Sequence, residues 1–180
     1  MPIPQRALPI CLALAIASIL LGVAPTAHAA NKGDISLGYS RTGNDTFYSG
    51  VGGLNGWDLD GQVSWKPFIG IEGDVAHYGL GAGSGVPRTT TFLFGPKISV
   101  GAAGFKFFGH FLVGGEHSAN SSTVIPISGN ALTYAAGAGL DAPIAPFFAW
   151  RVQLDRISAI NQSPANGTHG RFTTGIVFRF

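Results

Sequence analysis

His117 stands between Glu116 and Ser118 in "GEHSAN". An acid, a base and a hydroxyl are the parts of a lipid hydrolase or acyltransferase. On extended backbone, however, adjacent residues point to opposite faces, so His117 and Ser118 do not meet directly. His77, His110 and His169 are the other histidines past residue 30. None is an i, i+2 or i, i+4 neighbour of another, so no histidine metal site is expected. His77 reads most simply as a ring at a polar–apolar boundary. "GLGAGSG" at 79–85 has the glycine content of a phosphate loop, but no Lys-Ser/Thr and no helical pattern follows it. Asn44, Asn120, Asn161 and Asn166 open Asn-x-Ser/Thr triplets and read as polar loop composition. The residues therefore assign no catalytic group, no cofactor and no metal, and a non-enzymatic protein is expected. The alternatives are a lipid-modifying enzyme centred on His117 or His110, and a narrow channel.

The ionic residues form a second constellation. Asp58, Asp60, Glu72, Asp74 and Asp155 carry negative charge; Lys97, Lys106, Arg151 and Arg179 carry positive charge. All fall on the polar side of alternating stretches. In "WDLDGQVSWK", Trp57, Leu59, Val63 and Trp65 share one face, and Asp58, Asp60, Gln62, Ser64 and Lys66 the other. "FAWRVQLD" repeats this, with Phe148, Trp150, Val152 and Leu154 against Arg151, Gln153 and Asp155. "RFTTGIVFRF" ends the chain with Phe172, Ile176, Phe178 and Phe180 opposed to Arg171 and Arg179. Mixed charges shut on one side of a closed sheet are costly unless paired, so a structural network of salt bridges is expected.

Period-two alternation recurs through the chain, and amphipathic helical spacing is absent. It predicts eight strands at 33–42, 56–66, 69–79, 89–101, 104–117, 130–141, 146–157 and 170–180. Leu93, Phe108 and Leu112 fall on the polar side of the two central strands, which leaves open whether a bulge shifts the phase there. Long and short connections alternate: the long ones are rich in Gly, Asn, Ser and Thr, as in "SANSSTVIPISG", and the short ones are turn-like. Strands running up and down place four long loops at one end, with the short turns and both termini at the other.

Composition sets the medium. Charged residues are 11% of the chain, against about 25% in soluble domains. Without Arg6, the eleven Lys plus Arg fall to ten against nine Asp plus Glu. That balance gives no broad basic surface and excludes nucleic acid as a partner. Residues 1–29 read as a secretory signal peptide: Arg6, an apolar run from Leu12 to Val23, and small residues in "TAHAA". Cleavage is expected after Ala29, with Ala30 the alternative, leaving residues 30–180 as one domain. Cys11, the only cysteine, lies in the signal, so no disulfide is expected in the exported chain.

Volume decides which face is inside. The apolar face collects Trp57, Trp65, Phe92, Phe94, Phe105, Phe107, Phe111, Tyr134, Phe148, Trp150, Phe172, Phe178 and Phe180. An eight-stranded barrel is only just wide enough for side chains to fill, so these rings do not fit within it. The bulky face must look outward into lipid, with small and ionic residues along the axis. Tyr39, Trp57, Trp65, Phe105, Phe148 and Phe180 near strand ends would form aromatic girdles. The fold expected is an all-β, eight-stranded, antiparallel up-and-down transmembrane β-barrel behind a cleavable signal peptide.

The signal segment, the eight alternating strands, "FFAWRVQLDRI" and "RFTTGIVFRF" resemble the small bacterial outer-membrane β-barrel proteins, the OmpA/OmpX-like group. The resemblance implies an outer-membrane location, with the long loops extracellular and the termini periplasmic. It implies an envelope-stabilising, adhesive or ligand-contacting role through the loops. It also implies that Phe180, Phe178 and Ile176 are read by the barrel-assembly machinery. The partners it implies are that machinery and outer-membrane lipid, around a monomeric barrel. Longer members add a peptidoglycan-binding domain; a chain ending at Phe180 is expected to lack that tether.

Overall fold

The computed structural model describes residues 33–43, 53–80, 88–120, 127–160 and 167–180. The signal segment 1–29 with its cleavage site, Asn44, Asn161, Asn166 and residues 81–85 of "GLGAGSG" lie outside the described residues. Eight strands run in chain order: β1 (Gly33–Thr42), β2 (Asn55–Lys66), β3 (Ile69–Tyr78), β4 (Arg88–Ala102), β5 (Phe105–Asn120), β6 (Ile127–Ala145), β7 (Phe148–Ile160) and β8 (Gly167–Arg179). Each pairs antiparallel with the next, and β1 pairs with β8, so the sheet closes into a barrel. Closure leaves no edge. Reciprocal backbone bonds of 3.1 Å between Gly33 and Phe180 complete the seam.

Alternation fixes the two faces. The thirteen rings assigned to the apolar face are all exposed on the outer wall. Inside lie small and ionic residues, together with Leu93, Phe108 and Leu112. The β4–β5 register is the same on both sides of Gly95–Pro96, from Phe94↔Val113 to Lys97↔His110. No bulge shifts the phase. Pairing pauses at Pro96, which has no N–H to give. The three large apolar residues therefore sit in the lumen by design of the alternation: Leu93 and Leu112 form a buried cluster with Ala135 and Ile157.

Several strands are longer than the sequence pattern suggests. β5 continues to Asn120, β6 begins at Ile127 and β8 begins at Gly167. Polar residues there interrupt the alternation, but ladder bonds join backbone to backbone and need no apolar side chain. Pro143 reads as a turn residue, yet β6 passes through it to Ala145 with a register shift between the two. The turn falls at Pro146–Phe147. The β4–β5 turn uses Ala103 and Gly104, at φ of 51° and 86°, the double positive φ of a type I′ two-residue hairpin.

The strands tilt about the axis. One circuit of paired inward positions runs Ser64, Gly70, Lys97, His110, Gly137, Asp155, Arg171, Thr42. It begins near the short turns on β2 and ends near the long loops on β1. This tilt carries side chains from distant strands to a common depth in the lumen.

Candidate functional site

Two guanidinium groups cross the lumen. Arg151 on β7 donates from Nε to Asp141 Oδ1 at 2.7 Å and from Nη2 to Asp141 Oδ2 at 3.0 Å, a bidentate grip. It also donates to Asp60 on β2 and, at 3.2 Å, to Asp34 on β1. Arg171 on β8 donates from Nε to Asp155 at 2.6 Å, from Nη1 to Asp58 at 2.9 Å and to Asp74 at 3.0 Å, and from Nη2 to Asp74 at 2.7 Å. Each arginine thus ties its own strand to the neighbouring one, through the directly paired Asp141 or Asp155, and to two strands it does not pair with. The planar five-donor fork suits this work, which a lysine ammonium does not reproduce.

Between the two centres sits His110 on β5. Its Nδ1 lies 2.9 Å from Glu72 Oε2 and its Nε2 lies 2.8 Å from Asp155 Oδ1. Two carboxylate oxygens accept at both ring nitrogens, an arrangement in which the doubly protonated ring makes both bonds. Gly137 makes the second contact possible, because a Cβ there would collide with Asp155 Oδ1 and His110 Nε2. Lys97 Nζ is 3.2 Å from Glu72 and stands 4.0 Å above the Phe108 ring. Arg151 stacks over the same ring, 4.7 Å from its centre. Phe108 is therefore an apolar plate shared by two buried cations. Near the short turns, Lys106 donates to Asp34 at 2.8 Å and Arg179 reaches Asp141 at 3.4 Å.

Of the ionic residues singled out in the sequence, Asp58, Asp60, Glu72, Asp74, Lys97, Arg151 and Asp155 are buried, while Lys106 and Arg179 are half-buried. Arg171, set opposite the terminal rings in the sequence, is the hub of the second centre. Sequence reasoning missed Asp34, Asp141 and His110. Asp34 shares its face with Ser36 and Ser40, a signal that was available. His110 shares the face of Lys106, but the unresolved phase of β5 hid it. Asp141 falls at the boundary of the expected strand, where alternation gives no reading.

Above the ionic layer, toward the long loops, the Leu93–Leu112–Ala135–Ile157 cluster occupies one side of the lumen. On the other side Tyr78, Ser40 and Thr173 are joined by hydroxyl contacts of 3.5 and 3.1 Å. Ser118 points inward and donates to Glu116 at 3.0 Å, whereas His117 is exposed and faces Asn130 Oδ1 at 2.7 Å. His117 and Ser118 are thus on opposite faces. His77 lies 6.1 Å from the Trp57 ring centre, and its Nδ1 is 2.8 Å from Thr90 Oγ1. This is a base beside a hydroxyl, but among the described residues no carboxylate shares that outer face to orient it. Ile176, Phe178 and Phe180 are exposed, and Phe178 meets Phe148 and Phe180 at 5.5 and 6.3 Å.

No protein-family model and no curated protein sequence matches the chain. Solved structures do. Neisserial surface protein A superposes with a TM-score of 0.68 at 9% identity, over 85% of this chain and all of that one. Ail, the attachment invasion locus protein of Yersinia pestis, gives 0.61 at 19% identity over 82% and 97%. The outer membrane protein OprG of Pseudomonas aeruginosa gives 0.61 at 12% over 87% and 99%. The chain has the fold of the small eight-stranded outer-membrane β-barrels.

Proposed function

We propose that the chain is an integral barrel of the bacterial outer membrane with a structural and surface-facing role. Its long loops face outward, and its termini lie on the periplasmic side. The observation that carries this reading is the inverted wall: Leu37, Trp65, Phe94 and Leu154 are 60%, 64%, 63% and 63% exposed, while Arg151 and Arg171 are fully buried. An apolar wall of that extent belongs in hydrocarbon, and a closed sheet satisfies the backbone there.

The role is envelope integrity, adhesion or ligand contact through the loops, rather than catalysis or conduction. Two arginine centres and an apolar cluster fill the axis, which supports a sealed lumen. The barrel is monomeric, and Phe180, Phe178 and Ile176 are the residues offered to the assembly machinery. A heat-modifiability gel on purified outer membranes tests the location: the band should migrate differently before and after boiling. Planar-bilayer recording tests the seal and should give no steps. An unshifted band overturns the membrane reading, and steady conductance overturns the sealed one.

A further inference from the structure

The ionic layer of the lumen holds one carboxylate more than it holds cations. Among the described residues, each cation of the layer can be matched to a carboxylate of its own: Lys106 to Asp34, Arg179 to Asp141, Arg151 to Asp60, Lys97 to Glu72 and His110 to Asp155. Arg171 grips Asp74 through two nitrogens. Asp58 is left over. Arg171 Nη1 donates to its Oδ2 at 2.9 Å, and the same nitrogen donates to Asp74 Oδ1 at 3.0 Å. Asp58 is 0% exposed, and no donor among the described residues reaches its Oδ1.

The surroundings disfavour a negative charge at that place. Asp60 stands two residues on along the inward face of β2, fully buried, and its Oδ2 also lacks a donor. Asp74 and Tyr78 face Asp58 from β3, Asp155 from β7 and Arg171 from β8. On β1 the paired residue is Gly38, with Ser36 and Ser40 on either side along the inward face. β4 offers only Leu93, paired with Asp74, and His110 on β5 is bonded to Glu72 and Asp155. A carboxyl buried without a cation of its own gives up its charge by taking a proton. That proton also turns Asp58 Oδ1 into a donor, and Asp60 Oδ2 is an acceptor on the same face.

We infer that Asp58 is a proton-binding site, and that it makes the Arg171 centre an acid-responsive lock. Protonated by water, Asp58 keeps its bond from Arg171 through Oδ2 and leaves the guanidinium charge to Asp74 and Asp155. Ionised, it competes with both for a single fork, and the tie between β2 and β8 loosens. Asp58 is the fourth residue of β2, near the long-loop end, on the lumen side of the Tyr78, Ser40 and Thr173 hydroxyls. Acidity on the long-loop side therefore sets its state.

Urea unfolding of the full chain refolded in detergent, followed from about pH 5 into alkali, tests it. Above the ordinary carboxyl range the folded chain holds one proton that the unfolded chain has released, so stability falls as pH rises. Relative to Asp58→Asn, which is neutral at every pH, the wild type should lose up to about tenfold in its folding constant per pH unit. Asp34→Asn, in the other arginine centre, should keep the wild-type slope. Infrared spectra of the wild type at neutral pH should show a protonated-carboxyl C=O band that fades in alkali and is missing in Asp58→Asn. Exchanging sodium for choline at fixed pH and ionic strength should leave the unfolding midpoint unchanged. A slope shared by the wild type and Asp58→Asn, or a wild-type spectrum without the band, overturns the inference. So does a midpoint that follows sodium, which would make the counter-charge a metal cation. The wild-type band needs no variant, so it decides the matter even where Asp58→Asn does not refold.

Discussion

Replacing Arg171 with Met removes one guanidinium and leaves three carboxylates facing each other. Asp58, Asp74 and Asp155 each have 0% side-chain exposure in these pairs, as does Arg171. Removing one partner of a buried ion pair costs about 3–5 kcal/mol. Four hydrogen bonds are lost together. They act as a unit and do not add, so the upper part of that range is expected. With a urea m-value of about 2 kcal/mol/M, the unfolding midpoint falls by about 2 M. The assay is urea unfolding of the barrel refolded in detergent, followed by tryptophan fluorescence. Arg156→Met serves as the control, because an exposed arginine contributes within about 0.5 kcal/mol. A midpoint for Arg171→Met indistinguishable from that of Arg156→Met would refute the claim that the lumen network holds the barrel together. Arg171→Lys should recover less than half of the loss, since one ammonium cannot serve three carboxylates in fork geometry.

Three further outcomes are expected. Gly137→Ala should destabilise by about 1–3 kcal/mol, through collision with Asp155 and His110, while Gly61→Ala, whose Cβ meets nothing within 4 Å, should be near neutral in the same titration. Leu112→Ala should cost about 2–5 kcal/mol by opening a cavity at a fully buried position, read as a lowered urea midpoint. Deleting Phe180 should lower the fraction of chain assembled in outer membranes while periplasmic export, followed by fractionation, stays intact; unchanged assembly would remove the terminal ring from the recognition signal.

Most of the architecture was legible because one rule, alternation, governs every strand. Trp57 and Asp58 are neighbours in sequence and opposites in environment, and a narrow barrel admits only one assignment of their faces. Legibility failed where a residue served the lumen without being polar. Leu93, Leu112 and Phe108 look like errors of phase, yet Leu93 and Leu112 form the apolar cluster and Phe108 is the plate beneath Lys97 and Arg151. It failed again at strand ends, where backbone pairing outlasts the side-chain pattern. Partner choice was illegible altogether. No spacing says that Arg171 reaches Asp58 rather than Asp34, because tilt and stagger, not sequence separation, set which residues share a depth.

The seam between β1 and β8 joins the two ends of the described chain. Every other strand pair is a hairpin that can form as soon as its two members exist; this one waits for all of them. Its two ends must meet across the whole intervening polymer, the most expensive entropic search the molecule makes. The final stitch is therefore the slow one, and until it is made two unsatisfied strand margins stay open to any passing neighbour. An unclosed intermediate is thus the sticky, misassembly-prone species of this molecule.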